Sequence, residues 1–345
     1  MDILHNGAIT LHHGDCLDVM HEIPDNSIDL IATDPPYFKV KKEQWDRQWD
    51  SPVMFIRWLD TIAEQWQRIL KPNGSLYCFA SPRMAARVEV MLGDVFNVLG
   101  SITWAKPDPS SVINYGAGNG GRISKEALRS YYPNTERIIF CEHYGADNAA
   151  KGEAGYGAKC DELRGFVFEP LRAYLDGERQ RAGLTPDQVN LICGFREKGG
   201  MAGRHWFKSS QFAMPTRKSY IAVQEKTGLF QREYEALRTE YEALRRPFAV
   251  TADVPYTDVW TFPTVSTYKG KHPCEKPLAM MQHIITASTR PDAVVLDCFT
   301  GGNTTGVAAL TTKRRFIGIE RDATYYALGV QRVQTAIDNL PPMDV

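Results

Sequence analysis

Val294-Val295-Leu296-Asp297-Cys298-Phe299-Thr300-Gly301-Gly302-Asn303-Thr304-Thr305-Gly306 is the stretch that decides how this chain folds. An apolar run of strand length ends on an acid, turns through a glycine-containing loop and passes into a helical pattern over 304–312. Strand, loop and helix in that order make a nucleotide-type binding turn at the carboxyl end of a strand. Glu320 closes the next predicted strand, 315–320, about 20 residues beyond Asp297, where a ribose-binding acid belongs. A dinucleotide fingerprint wants glycine at 301, 303 and 306, and position 303 holds Asn303. No Gly-Lys-Ser/Thr follows to make a Walker loop. Backbone groups, hydroxyls and a ribose acid suit an adenosyl ligand that carries no phosphate.

The N-terminal end shows the same alternation. Ser27-Ile28-Asp29-Leu30-Ile31-Ala32-Thr33 reads as a strand that stops at Asp34-Pro35-Pro36-Tyr37. Phe55, Trp58, Leu59, Ile62, Trp66 and Ile69 recur at three- and four-residue spacing, the mark of an amphipathic helix. Lys71-Pro72-Asn73-Gly74 ends it. Further strands are expected at 74–80, 95–104 and 137–141, with 293–297 and a closing helix at 322–338 near the C-terminus. Strands alternating with helices predict an α/β, mainly parallel, Rossmann-like sheet with helices on both faces. The sheet is built from both ends of the chain, from 1–159 and 247–345.

Between them, 160–246 reads as an inserted, mainly helical module. A helix is expected at 171–182, and Thr185-Pro186-Asp187-Gln188 opens a second with Thr as cap and Pro at the first helical position. Gly194 gives a turn, a short element follows at 203–208, and Thr216 starts another helix. The order resembles the helix-turn-helix of small repressors. Arg196, Lys198, Arg204, Lys208, Arg217 and Lys218 there face only Glu197. Arg204, His205, Lys208 and Gln211 are candidates for DNA contact, since Arg and Gln can read guanine and adenine edges. Contact to phosphate alone is the plainer reading, and Trp206 and Phe207 could equally bury this segment. Glu233-Tyr234-Glu235-Ala236-Leu237-Arg238 recurs seven residues on and predicts an amphipathic linker helix packing on the body. Glycine-rich 114–122 and the Gly/Ala-rich 145–159 read as surface loops.

Composition narrows the classes. The chain has 345 residues, 43% hydrophobic and 23% charged, which excludes disorder and fibrous repeats. The net charge of −1 gives no global basic field, so nucleic-acid binding has to be local. No apolar run approaches the ~20 residues of a membrane span, and the start lacks a signal-peptide pattern. Seven cysteines form no Cys-x-x-Cys pair, so neither a disulfide framework nor a zinc ribbon is expected and a reducing cytoplasm fits.

Chemistry concentrates at Asp34-Pro35-Pro36-Tyr37. Each proline fixes φ and lacks an N–H, so the pair makes a rigid elbow. It presents the Asp34 carboxylate and the Pro35 carbonyl as two acceptors beside an aromatic ring. That arrangement suits a planar exocyclic amine; a turn with a capping Asp and a packing Tyr is the competing reading.

These signals together resemble the β-type DNA amino-methyltransferases that use S-adenosylmethionine, in which catalytic motif, target-recognition region and cofactor loop follow in this order. Gly14-Asp15-Cys16-Leu17 resembles the early cofactor segment, and His272-Pro273-Cys274-Glu275-Lys276-Pro277 the segment before the cofactor strand. The resemblance implies catalysis by Asp34, Pro35, Pro36 and Tyr37. It implies cofactor binding by Asp15, Cys16, Asp34, Lys276, Asp297, Phe299, Thr300, Gly301, Asn303, Thr304, Thr305 and Glu320. Asp15 is expected near the adenine, Lys276 at the methionine carboxylate and Phe299 against the cofactor. The loop departs from the family's Ser-Gly at Gly302-Asn303, where Asn tolerates positive φ.

Asp34, rather than Ser, points to adenine N6 over cytosine N4 as acceptor. The partner implied is double-stranded DNA, with no membrane and with a homodimer left open. The competitors are cytosine N4 methylation, a DNA-binding regulator on a catalytically retired scaffold, and an RNA substrate.

Overall fold

The computed structural model describes residues 1–106, 129, 131, 134–143, 156–208, 212–250, 257–266, 268 and 271–341, with the backbone alone over 156–167. The glycine-rich 114–122, most of the 145–159 loop and Gln211 lie outside the described residues. The chain divides into two compact units, Met1–His143 with Pro247–Val345, and Tyr144–Arg246. The boundary thus falls ahead of the expected residue 160.

In the first unit the elements run β1 (Asp2–Leu4), β2 (Ile9–His13), α1 (Cys16–Glu22), β3 (Ile28–Thr33), α2 (Pro52–Ile69), β4 (Leu70–Ala80), α3 (Ala85–Val95), β5 (Asn97–Ala105) and β6 (Thr135–Glu142). After the second unit come β7 (Val259–Thr261), α8 (Leu278–Ser288), β8 (Val294–Asp297), α9 (Thr304–Thr311), β9 (Arg315–Glu320) and α10 (Ala323–Asp338). The described strands form one 9-stranded sheet in the order β1-β2-β9-β8-β3-β4-β6-β5-β7. From β2 to β4 neighbours are parallel. β5 and β7 are parallel as well, while β1 is antiparallel to β2 and β6 runs antiparallel to both β4 and β5, so the sheet is mainly parallel, as expected, with antiparallel pairs toward its edges.

Period-two alternation along β3 places its side chains in two cores. Ile31 packs with Leu59, Ile62 and Trp66 of α2 and with Val88 of α3. Leu30 and Ala32 face the other way, with Met281 and Ile284 of α8 and Ala308 of α9. Both faces of the sheet are therefore covered, and the central strands read as continuous apolar runs for that reason. The spacing in α2 does what it predicts: Phe55, Leu59, Ile62, Trp66 and Ile69 are buried. Ser51 caps that helix by accepting from the Met54 N–H, and Pro52 occupies its first turn.

The second unit holds α4 (Tyr156–Arg181), α5 (Pro186–Ile192), a π-helical turn at Ala202–Trp206, α6 (Arg217–Thr227) and α7 (Tyr234–Leu244). α4 begins well before the expected 171, because Pro170, which reads as a helix opening, lies inside it. Thr185 makes the full capping box with Gln188 at the start of α5. Phe168, Leu171, Leu175, Val189, Trp206, Tyr220, Val223, Phe230 and Leu237 form this unit's own core. The repeat at 233–245 is correct as a helix but not as a linker packed on the body. Tyr234 and Leu237 are buried in the inserted unit's core, and Tyr241 and Leu244 pack against it.

Candidate active site

β3, β4, β8 and β9 are parallel, so their carboxyl ends open on one edge of the sheet. β3 is followed in the sheet by β4 on one side, and β8 by β9 on the other. The crevice between β3 and β8 is thus the topological switch point, where open α/β sheets bind ligands. A cavity of about 470 Å³ lies there, lined by Gly14, Asp15, Cys16, Asp34, Pro35, Pro36, Tyr37, Lys41, Trp45, Trp58, His272, Cys298, Phe299, Gly301, Glu320 and Asp322 among others. A smaller recess shares Asp34, Phe299 and Gly301 and adds Phe79, Lys276, Asp297, Thr300, Thr304 and Thr305. The two motifs, more than 250 residues apart in sequence, share one crevice.

Asp34 leaves β3 into this crevice. Its Oδ2 accepts from the Lys276 ammonium, while its Oδ1 is buried with no hydrogen-bond partner among the described residues. Burial raises the Asp34 pKa and the Glu136 carboxylate adds to the rise, while Lys276 opposes it. The Lys276 side chain is only 7% exposed. Burial would lower its pKa, but Asp34 and Glu136 together raise it, so the ammonium stays charged. Burial pushes Glu136 up as well, yet Lys276 and Lys106 overcome this and hold it down to about 2. The resemblance puts Lys276 at a cofactor carboxylate; in the structure its ammonium pairs with Asp34 and Glu136, in the recess beside the β8 loop.

Tyr37 is fixed at both ends. Its hydroxyl donates to Glu136 Oε2 at 2.7 Å, and its N–H donates to Asp46 Oδ1 at 2.7 Å. Asp46 is fully buried and also accepts from the Lys41 N–H through Oδ2 at 2.5 Å, while its carbonyl accepts from the Lys39 N–H. One carboxylate thus organises the segment after the prolines, where Phe38 and Lys39 both take positive φ. Trp45 from this segment stacks with His272 at a centroid distance of 6.1 Å, and Lys41 Nζ reaches the Pro273 carbonyl. Asp46, Glu136 and Trp45 were not legible as site residues. The partners of Glu136 and Trp45 lie far along the chain, and those of Asp46 depend on the turn that follows the prolines.

The β8 loop is built around Asp297. Thr33 Oγ1 donates to its Oδ1 at 2.9 Å, Thr305 Oγ1 to its Oδ2 at 2.6 Å, and the Phe299 N–H to Oδ1 at 3.1 Å. Burial raises its pKa to about 6 against those three donors. Asn303 takes φ +58° and caps α9 by accepting from the Gly306 N–H. The irregular Gly302-Asn303 pair therefore keeps a working turn. Asn303 is 1% exposed and serves the helix rather than the cavity. Arg332 donates to the Gly302 carbonyl and to Thr304 Oγ1, holding the loop from α10. Glu320 accepts from the Gly301 N–H at 2.8 Å and the Asp322 N–H at 2.7 Å. Asp15 caps α1 with one oxygen, accepting from the Leu17 N–H, and its side chain is 42% exposed. Cys16 and Phe299 stand beside it in the cavity wall, and the Thr300 N–H is taken by Ile319.

These residues fit an adenosyl ligand. Gly301, at φ +49°, lies so close to His272 that an added Cβ would sit 2.9 Å from the ring, so the backbone there is bare by necessity. The cavity beyond it combines the carboxylates of Glu320 and Asp15 with the ring of Phe299.

In the second unit Arg204 and Lys208 are exposed, His205 is half-buried, and Trp206 and Phe207 are buried. Trp206 and Phe207 thus bury this stretch in the unit's core, while Arg204 and Lys208 face outward. No described helix is long and apolar enough to cross a membrane.

A family model described as DNA methylase (N6_N4_Mtase) matches residues 28–331. The chain is 26% identical to DNA adenine methyltransferase YhdJ of Escherichia coli (strain K12), over 96% of this chain and 84% of that one. It is 22% identical to the type II methyltransferase M2.MboI of Moraxella bovis, over 93% and 86%. Among solved structures, PvuII DNA methyltransferase (cytosine-N4-specific) superimposes with a TM-score of 0.52 at 15% identity, over 98% of this chain and 90% of that one. That likeness shows the α/β methyltransferase fold.

Proposed function

The chain belongs to the DNA methylase family, and from that premise we propose that it methylates the exocyclic N6 amine of adenine in double-stranded DNA with S-adenosylmethionine as donor. Asp34, which lines the cavity and whose buried Oδ1 has no hydrogen-bond partner among the described residues, carries the reading. A buried acceptor without a donor costs about 1–3 kcal/mol, and the hydrogen of an incoming amine restores what is missing.

Asp34 and the Pro35 carbonyl take the two amine hydrogens, and the Tyr37 ring offers the stacking surface. Drawing the hydrogens into two acceptors shifts the nitrogen lone pair out of the heterocycle and toward the donor. A base stacked in a duplex cannot reach this crevice, so it is flipped out at a cost of a few kcal/mol. When bound, S-adenosylmethionine supplies an electrophilic methyl group. Cys16, Phe299, Thr300, Gly301, Glu320 and Asp15 would hold it, on a loop set by Asp297, Asn303, Thr304 and Thr305. The neutral amine is too weak an acid to lose its proton in advance, so the proton leaves with or after attack, once the nitrogen carries positive charge. Acceleration then comes from orientation and fixed charge rather than from a strong base.

Asp at the first motif position and the E. coli relative's name support adenine over cytosine. The inserted unit, with its own core and exposed Arg204 and Lys208, is the natural target reader. Single-molecule sequencing of DNA from a methylation-free host expressing the chain tests all of this. N6-methyladenine in a defined context is the expected result. N4-methylcytosine would replace the acceptor, and unmodified DNA with a duplex-binding protein would favour the retired scaffold.

A further inference from the structure

β6 sets a group that no motif marks against two side chains of the crevice, Tyr37 and Lys276. Glu136 receives the Tyr37 hydroxyl on Oε2 at 2.7 Å and the Lys106 ammonium on Oε1 at 2.6 Å. Lys276 Nζ lies 3.4 Å from the same Oε2. An ammonium has three donors. Lys276 donates to Asp34 Oδ2 and to the Cys274 carbonyl at 3.3 Å, and Glu136 draws the ammonium as an ion pair rather than through a hydrogen bond. Asp34 Oδ1 is the oxygen left without a partner, and the pull of the second carboxylate opposes a turn of the remaining hydrogen toward it.

We propose that Glu136 is a positioning residue for methyl transfer: it fixes the Tyr37 ring through its hydroxyl and holds Lys276 so that Asp34 Oδ1 stays open to the amine. The inference rests on the function proposed above and concerns the same site. Glu136 lines neither the cavity nor the recess; it acts through Tyr37 and Lys276. Its placement on β6, which pairs antiparallel with β4 one strand beyond β3, gives it a rigid origin independent of the Asp34 elbow. Burial of the ammonium between the Tyr37 and Phe79 rings, 5.1 and 4.9 Å from their centroids, leaves it few other directions.

The charge around Asp34 makes the role measurable. Asp34 is faced by Lys276 and Cys274 from the segment before α8, Glu136 from β6, Cys78 from β4, Asp297 from β8, and Tyr37 from its own elbow. Glu136 raises the Asp34 pKa, so removing its charge lowers that pKa and moves the acidic limb of the activity profile to lower pH. The test compares wild type, Glu136→Gln and Glu136→Asp on a duplex substrate, measuring kcat, both KM values and the pH dependence of kcat. In Glu136→Gln, kcat should fall about 100-fold, the cost of a misplaced acceptor, with both KM values little changed and the acidic limb displaced downward. Glu136→Asp keeps the charge but is one methylene too short to reach both partners. Its kcat should fall while its acidic limb stays at the wild-type position. A Glu136→Gln enzyme with wild-type kcat, or with an unmoved acidic limb, overturns the proposal. Should Glu136→Gln not fold, an unchanged kcat in Glu136→Asp overturns it, and a fall in kcat alone supports it. A wild-type chain that methylates no duplex removes the functional reading itself, whereas an active wild type with indifferent variants removes only the role of Glu136.

Discussion

Thr33 Oγ1 donates to Asp297 Oδ1 at 2.9 Å and accepts from the Cys298 N–H at 3.2 Å. One hydroxyl therefore ties the end of β3, which launches Asp34, to the end of β8, which launches the binding loop. Thr33→Val keeps the shape and removes both bonds, leaving the buried Cys298 N–H without its partner. Unfolding in urea should show a loss of about 1–3 kcal/mol. Methyl transfer should slow as well, since the elbow and the loop lose their common reference. A variant with wild-type stability would show that the strands hold register without this bond.

Asp34→Ala removes the open acceptor while Glu136 still pairs with Lys276, so the fold should survive. Turnover should fall by about 100- to 1,000-fold or more, with duplex affinity nearly unchanged in a gel-shift titration. Near-normal turnover would sink the catalytic assignment.

Asn303 does two jobs, positive φ and helix cap. Asn303→Gly keeps the first and loses the second, at about 0.5 kcal/mol. Asn303→Ala loses the cap and strains the turn, at about 2 kcal/mol. The urea midpoint and calorimetric affinity for S-adenosylmethionine should rank wild type, Gly, Ala. Equal behaviour of Gly and Ala would show that the backbone conformation is not what matters.

Asp297 has its carboxyl raised to about 6 from an ordinary value of 3.8. The folded state thus binds a proton that the unfolded state gives up, and this group's contribution to stability falls as pH rises between about 4 and 6. By linkage the amount is about 3 kcal/mol. Asp297→Asn lacks the titration. The stability of wild type relative to Asp297→Asn should therefore decrease from pH 4 to pH 6 and level off above; a difference flat across that window contradicts the raised carboxyl.

If Arg204 and Lys208 meet DNA phosphate, each change to Ala weakens binding alike on all sequences. It should also reduce the slope of log K against log salt by about 1. A loss confined to one base position would instead assign direct readout, and an unchanged salt slope would take the residue off the interface.

Much of the architecture is written in local patterns. The helix at 52–69, the strand-loop-helix at 294–311 and the capping box at Thr185 follow from residue spacing and from side chains that satisfy nearby backbone groups. These interactions span a few residues, so a short window contains both partners. β1, β7 and α8 leave no comparable mark. The two strands are three residues each, and their stability comes from neighbours in the sheet. α8 is apolar nearly all round because it is buried, which erases the amphipathic signal.

The site divides along the same line. Asp34-Pro35-Pro36-Tyr37 and the glycine loop declare themselves, because rigid elbows and bare backbone require particular residue types. That Asp34 keeps one buried oxygen unpartnered among the described residues, that Lys276 pairs with it, and that Glu136 and Asp46 hold Tyr37 were decided only by the tertiary structure. Charge pairing acts through space, and Lys276 stands 242 residues from Asp34 along the chain. The sequence by itself determined which chemistry the chain can carry; the packing of β3, β6 and β8 determined which atoms are left free to perform it.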